Sequence, residues 1–275
     1  MISSEKRKWK GYKNILLPLG HNADVNNLTK LVSFLINKKE GFVELNHVIE
    51  EGSYSKLPGE WREGAKRVTE SHHMMMRFGI HSERKVITAE NVKRGILEEA
   101  LEMESDLIIL GWGPKPKSKI SGMISKIMDK SHCDVIVYKS KNNLDSINKI
   151  IYPIAVEPDI SRLNLISRIS RENDATLTLA HFVDKNNNER HAEKLLENAL
   201  AKANSFDMDV KKLILKGSSL EKSIGEASED FDLMVLGPSG DWWVYQTLFG
   251  KKTDKIASNA NCSVLLHKYK AEYND

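Results

Sequence analysis

This chain repeats itself, and that limits its fold more than any other feature. Asp106-Leu-Ile-Ile-Leu-Gly111 returns 126 positions later as Asp232-Leu-Met-Val-Leu-Gly237. Three further pairs keep the same order. Asn14-Ile-Leu-Leu-Pro18 matches Lys149-Ile-Ile-Tyr-Pro153, and Val43 to Val48 matches Leu177 to Phe182 with His47 opposite His181. Cys133-Asp-Val-Ile-Val137 matches Cys262-Ser-Val-Leu-Leu266. Matches in register imply one folding unit written twice, and 275 residues suit two domains of about 130. The polar run Ser140-Lys-Asn-Asn-Leu-Asp-Ser146 reads as the linker, which predicts subdomains over 1–140 and 147–275.

Within each copy, short continuous apolar runs such as Leu107 to Leu110 have the pattern of strands buried on both faces, as parallel strands are. Helical spacing fills the intervals. Val92, Ile96, Leu97, Ala100 and Leu101 recur at that spacing before the Asp106 strand, and Leu220, Ile224 and Ala227 do so before its partner. Leu28, Leu31, Val32 and Leu35 mark a helix after the first strand, as Ile166 and Ile169 do in the second copy. Ala192, Leu195, Leu196, Ala199, Leu200 and Ala203 form the clearest amphipathic stripe. The order β-α-β-α-β-α-β-α-β with right-handed crossovers gives an α/β fold: two tandem, doubly wound, five-stranded parallel sheets.

Charge and composition narrow the partners. The 41 basic and 38 acidic side chains are interspersed and leave a net charge of only +3, so nucleic acid is not the expected partner. Two cysteines are far too few for a disulfide scaffold and suit a reducing compartment. No stretch approaches the ~20 apolar residues of a membrane span, so the spans of any membrane protein this chain serves are expected to lie outside it. The basic cluster Glu5-Lys6-Arg7-Lys8-Trp9-Lys10 reads as a solvated end, with contact to anionic lipid as the other reading.

Candidate chemistry is sparse. His72-His73 before Met74-Met75-Met76 has donors that suit a soft metal, but adjacent residues on a helix point apart and Met fills cores, so no metal is expected. His47 and His181 share a strand position in the two copies, which argues for a packing role. Cys133 and Cys262 each open a buried strand without a flanking base. Nucleophile elbow, phosphate-loop Lys-Ser pair and zinc-spaced Cys/His set are all missing, so catalytic residues are none and no enzyme is expected. Lys115, Lys117 and Lys119 read as a solvated loop, and Trp242, Trp243, Tyr245 and Phe249 as a contact surface.

The strand order, the proline in the first strand, and Gly122-Met-Ile-Ser125 leading to Cys133-Asp-Val-Ile-Val137 resemble the universal stress protein family. That resemblance implies an ATP loop after the fourth strand, G-x-x-G-x9-G followed by Ser or Thr, with backbone N–H groups around the phosphates. The second half keeps Gly237, Gly240 and Gly250, with Thr253 near the hydroxyl position; the first half is one residue short and carries Pro114 and Pro116. The acidic residue that nucleotide binders of the family carry after the first strand is replaced by Gly20 and Ala155. Cofactor binding is therefore not expected, and ATP belongs to the alternative of a stand-alone tandem universal stress protein.

A narrower resemblance joins Lys8-Trp9-Lys10, His47-Val-Ile-Glu-Glu-Gly52 and Gly111-Trp112-Gly113-Pro114. These resemble the cytosolic carboxy-terminal regulatory domain of cation-chloride cotransporters. The resemblance implies a non-catalytic regulatory and dimerisation domain on the cytoplasmic face of the membrane. Its partners would be a second copy and the transmembrane part of the same polypeptide.

Overall fold

The coordinates are a computed structural model describing residues 9–52, 57–112, 122–141, 143–184, 189–237 and 251–270. Contacts divide the chain into two compact units. One comprises Gly11–Ser140 with Leu266–Asp275, and the other Lys141–Leu265 with the amino-terminal residues to Lys10.

The first unit runs β1 (Asn14–Pro18), α1 (Val25–Leu35), β2 (Phe42–Glu50), α2 (Leu57–Arg77), β3 (His81–Ala89), α3 (Val92–Glu102), β4 (Leu107–Gly111), α4 (Gly122–Lys130) and β5 (Asp134–Lys139). Its strands lie in the order β3-β2-β1-β4-β5, all parallel. The chain reverses direction across the sheet between β1 and β4, so the carboxyl ends of these strands open a crevice there. Ile15, Leu16, Leu17, Ile108 and Ile109 are fully buried, as expected of strands covered on both faces. Side-chain caps start the helices. Asp24 accepts from the Asn27 N–H before α1, and Asn91 from the Arg94 N–H before α3.

The second copy runs β6 (Lys149–Pro153), α5 (Ile160–Asn173), β7 (Thr176–Asp184), α6 (Glu189–Ala203), β8 (Val210–Gly217), α7 (Leu220–Ala227), β9 (Leu233–Leu236), α8 (Lys251–Asn259) and β10 (Ser263–Lys268). Its strand order is β10-β9-β6-β7-β8, the same winding as the first. Both copies are thus the expected α/β repeat, a parallel five-stranded sheet covered by helices.

The repeated aspartate now has a physical role. Asp106 Oδ2 accepts from the backbone N–H groups of Lys13 and Asn14 at 2.8 and 3.0 Å. In the second copy Asp232 Oδ2 accepts from Asn148 and Lys149 at 2.7 and 2.9 Å. Each carboxylate fixes the amino end of the neighbouring strand and so the register of the central pair. Charge-assisted bonds are the strong ones, and Asp106→Ala or Asp232→Ala is expected to lower stability by about 1–2 kcal/mol. Similar losses in urea titrations of the two variants would establish equivalent roles; a loss in one alone would break the equivalence.

Candidate functional site

The strand-end crevice of the first unit holds a cavity of about 400 Å³. Its apolar body comes from Pro18 and Leu19 of the first strand and its exit, Val48 of β2, Val92 and Ile96 of α3, Leu110 of β4 and Ile124 of α4. Gly20, His21, Asn22, His47, Glu50 and Glu60 supply its polar and open surface. No Lys or Arg stands among these lining residues, and two carboxylates do. The charge that the described lining residues contribute to the cavity is therefore negative.

His47 is 2% exposed, and its Nδ1–H donates to the Leu19 carbonyl at 2.6 Å. Because a carbonyl only accepts, this bond fixes the tautomer, and Nε2 carries the free lone pair. That Nε2 is buried without a hydrogen-bond partner among the described residues. Burial holds the imidazole below its usual range, the Leu19 bond opposing, so the ring is neutral at pH 7. In the second copy His181 Nδ1–H donates to the Ile154 carbonyl at 2.8 Å. The duplicated histidine ties the second strand of each copy to the exit of the first.

Gly20 lies in the cavity wall, and a Cβ built there meets nothing within 4 Å. The wall at Gly20 thus leaves room for a Cβ where nucleotide binders of the family carry an acidic residue. The second copy differs. A Cβ at Gly237 would lie 2.6 Å from Arg162 Cζ, so the guanidinium is packed onto this glycine. Arg162 is 1% exposed, donates from Nη1 to the Tyr152 hydroxyl at 2.9 Å, and has its Cζ 5.8 Å from the centre of the Tyr152 ring. Thr253 is buried on α8. Gly240 and Gly250 fall outside the described residues, as do Pro114, Pro116, Lys115, Lys117, Lys119 and the aromatics Trp242, Trp243, Tyr245 and Phe249.

The remaining candidates lie apart from one another. His72 shares a hydrogen bond with Ser82 Oγ at 2.8 Å, Met75 is fully buried and Met76 is 55% exposed, so the His-Met run diverges around its helix. Among the described residues no group of three His, Cys, Asp or Glu is placed to hold a metal. Cys133 is buried, and desolvation pushes its thiol up to about 11, which leaves no thiolate at neutral pH. No helix of the described residues is long and apolar enough to cross a membrane.

Comparison with known proteins follows the same lines. Residues 11–139 match the Universal stress protein family. The match covers the first repeat, and the second repeat shares its fold. The universal stress protein of Archaeoglobus fulgidus DSM 4304 superposes with a TM-score of 0.63 at 11% identity, covering 94% of this chain and 97% of that one. The cytoplasmic domain of a prokaryotic cation chloride cotransporter superposes equally, with a TM-score of 0.63 at 18% identity over 97% and 98% of the two chains. In sequence, 190 residues are 27% identical to the Na(+)/H(+) antiporter NhaS5 of Synechocystis, covering 64% of this chain and 26% of the antiporter. The chain thus spans about a quarter of the length of that relative.

Sequence reasoning missed two groups. Arg162 lies four residues before Ile166 on the stripe that marked α5, so a cation at a core position was the available signal. Glu44 and Asn46, polar residues inside a buried strand, carried a similar one.

Proposed function

We propose that this chain is a non-catalytic regulatory module of an ion transporter, joined to the transmembrane part of the same polypeptide on its cytoplasmic side. The observation that supports this most is the antiporter match, because its 190 residues exceed one repeat of about 130 and so include parts of both. The short motifs around Trp9, His47 and Trp112 favour a cation-chloride cotransporter as the parent. Pairing with a second copy belongs to the same proposal, since tethered domains of a paired membrane protein meet at high effective concentration. The proposed subdomain limits are 1–140 and 147–275, following the repeats.

Deleting this module from the full-length polypeptide, with the transmembrane part kept in vesicles, tests the reading. Ion flux should persist with altered regulation, and its dependence on chloride or on a proton gradient separates a cotransporter from an antiporter. The alternative, a free-standing ATP-binding tandem universal stress protein, makes a different forecast. A ligand at 100 times its Kd adds about 2.7 kcal/mol to stability, enough for a clear rise in Tm. Millimolar ATP is expected to leave the Tm of the purified chain unchanged. A saturable rise, confirmed by calorimetry, would favour the alternative.

A further inference from the structure

Two carboxylates and one ammonium group meet between β2, β3 and α3 of the first unit. Glu44 on β2 is 6% exposed and Glu99 on α3 is 5% exposed. Lys85 on β3 donates from Nζ to Glu99 Oε1, and the same Nζ lies 3.9 Å from Glu44 Oε2. One positive charge therefore serves two buried acids. A buried carboxyl beside a second acid is disfavoured in its charged form when both compete for one ammonium group.

The hydrogen bonding around Glu44 is incomplete among the described residues. Glu44 Oε1 is buried with no hydrogen-bond partner among the described residues. Asn46, fully buried two positions along the strand, acts on the Glu44 carboxyl, yet neither of its amide atoms makes an aligned bond. A proton on Glu44 would supply a donor between the two carboxylates, the Asn46 amide favouring the charged form instead. Across the sheet Glu44 faces Leu16 of β1 on one side and the exposed Glu83 of β3 on the other, and Glu102 of α3 acts on Lys85 from beyond Glu99.

We propose that Glu44 holds a proton beside Lys85 and Glu99, and that this proton site sets how firmly α3 rests on β2 at the wall of the cavity. Both elements form that wall, through His47 and Val48 of β2 and Val92 and Ile96 of α3. Their contact has no slack, because a Cβ at Gly95 of α3 would lie 2.7 Å from Val48 Cγ1. Burial pushes the Glu44 carboxyl up to about 7, the charge of Glu99 adding to the effect and Lys85 opposing it. The sign follows from linkage. A carboxyl held above its unfolded value contributes stability in the protonated form, and that contribution is lost as pH rises from about 4.5 through about 7. The inference stands apart from the identity of any transporter, since it concerns the chain alone.

The full chain labelled with 13Cδ-glutamate, titrated by NMR with amide exchange followed in α3, tests the site. One carboxyl is expected to titrate with a midpoint near 7. Lys85→Met should raise that midpoint, and Glu44→Gln should abolish it. After correction for intrinsic rates, α3 amides should exchange roughly tenfold faster at pH 8 than at pH 6 in the natural chain and equally in Glu44→Gln, a tenfold change being one decade in the opening equilibrium. Glu99→Gln provides the same readout should Glu44→Gln fail to fold. Titration of every glutamate in the ordinary carboxylate range would overturn the proposal, as would a pH response that persists in both glutamine variants. A midpoint that moves between sodium, potassium and a bulky organic cation at equal ionic strength would also overturn it, by making the cluster a cation site.

Discussion

Gly64→Ala is expected to destabilise the chain by about 2–3 kcal/mol, although alanine is the better helix former. Gly64 lies in the interior of α2, where replacing glycine with alanine ordinarily gains about 1 kcal/mol. Here the new Cβ would stand 2.3 Å from His47 Cδ2 and 2.7 Å from Cγ. The ring has no free retreat, because its 2.6 Å bond to the Leu19 carbonyl holds it against β1. Either that bond breaks and a buried carbonyl loses its partner, or α2 lifts from the sheet; overpacking of this kind costs about 1–3 kcal/mol before the bond is counted. In melting experiments the loss reads as a fall of roughly 5–10 °C for a chain of this size. His47→Ala removes the obstacle, so the double variant should recover part of the loss, with a coupling energy of about 1–3 kcal/mol in a double-mutant cycle. A Gly64→Ala variant more stable than the natural chain would show that propensity wins and that the close contact is not made.

That pair also shows what the sequence could and could not disclose. Repetition was legible because apolar runs such as Leu107 to Leu110 survive as chemistry wherever a strand is buried on both faces. The Asp at the head of each such run was visible too, but its role was not, since Asp106 and its acceptor-seeking N–H groups at Lys13 and Asn14 are far apart in the chain. His47 and His181 could be paired from their shared position, but not their carbonyl partners at Leu19 and Ile154. The need for glycine at position 64 was hidden, as helix periodicity says nothing about which strand residue a helix must clear. The same limit hid the acid cluster. Glu44, Lys85 and Glu99 come from three elements, and only the pairing of β2 with β3 and the seating of α3 bring them together. Local patterns fix elements; sites depend on contacts between residues distant in sequence.

Arg162 is the other residue whose loss should be large, because it puts a guanidinium where the helical pattern calls for an apolar side chain. At 1% exposure its stem and head fill space against Gly237 and Tyr152. Arg162→Ala leaves that volume empty and deprives the Tyr152 hydroxyl of its donor, an expected loss of about 2–4 kcal/mol. Arg162→Met keeps most of the stem and removes the charge. If packing dominates, methionine should restore at least half of the loss, whereas an unrelieved loss would assign the stabilisation to the charge. The same variants bear on nucleotide binding. A guanidinium packed on Gly237, and bonded to the Tyr152 hydroxyl, stands at the first position of the glycine set that a phosphate would need. ATP should therefore leave the melting temperature unchanged in the natural chain and in both variants. An ATP-dependent rise in the natural chain that vanishes in Arg162→Met would reverse this reading and make Arg162 a phosphate ligand.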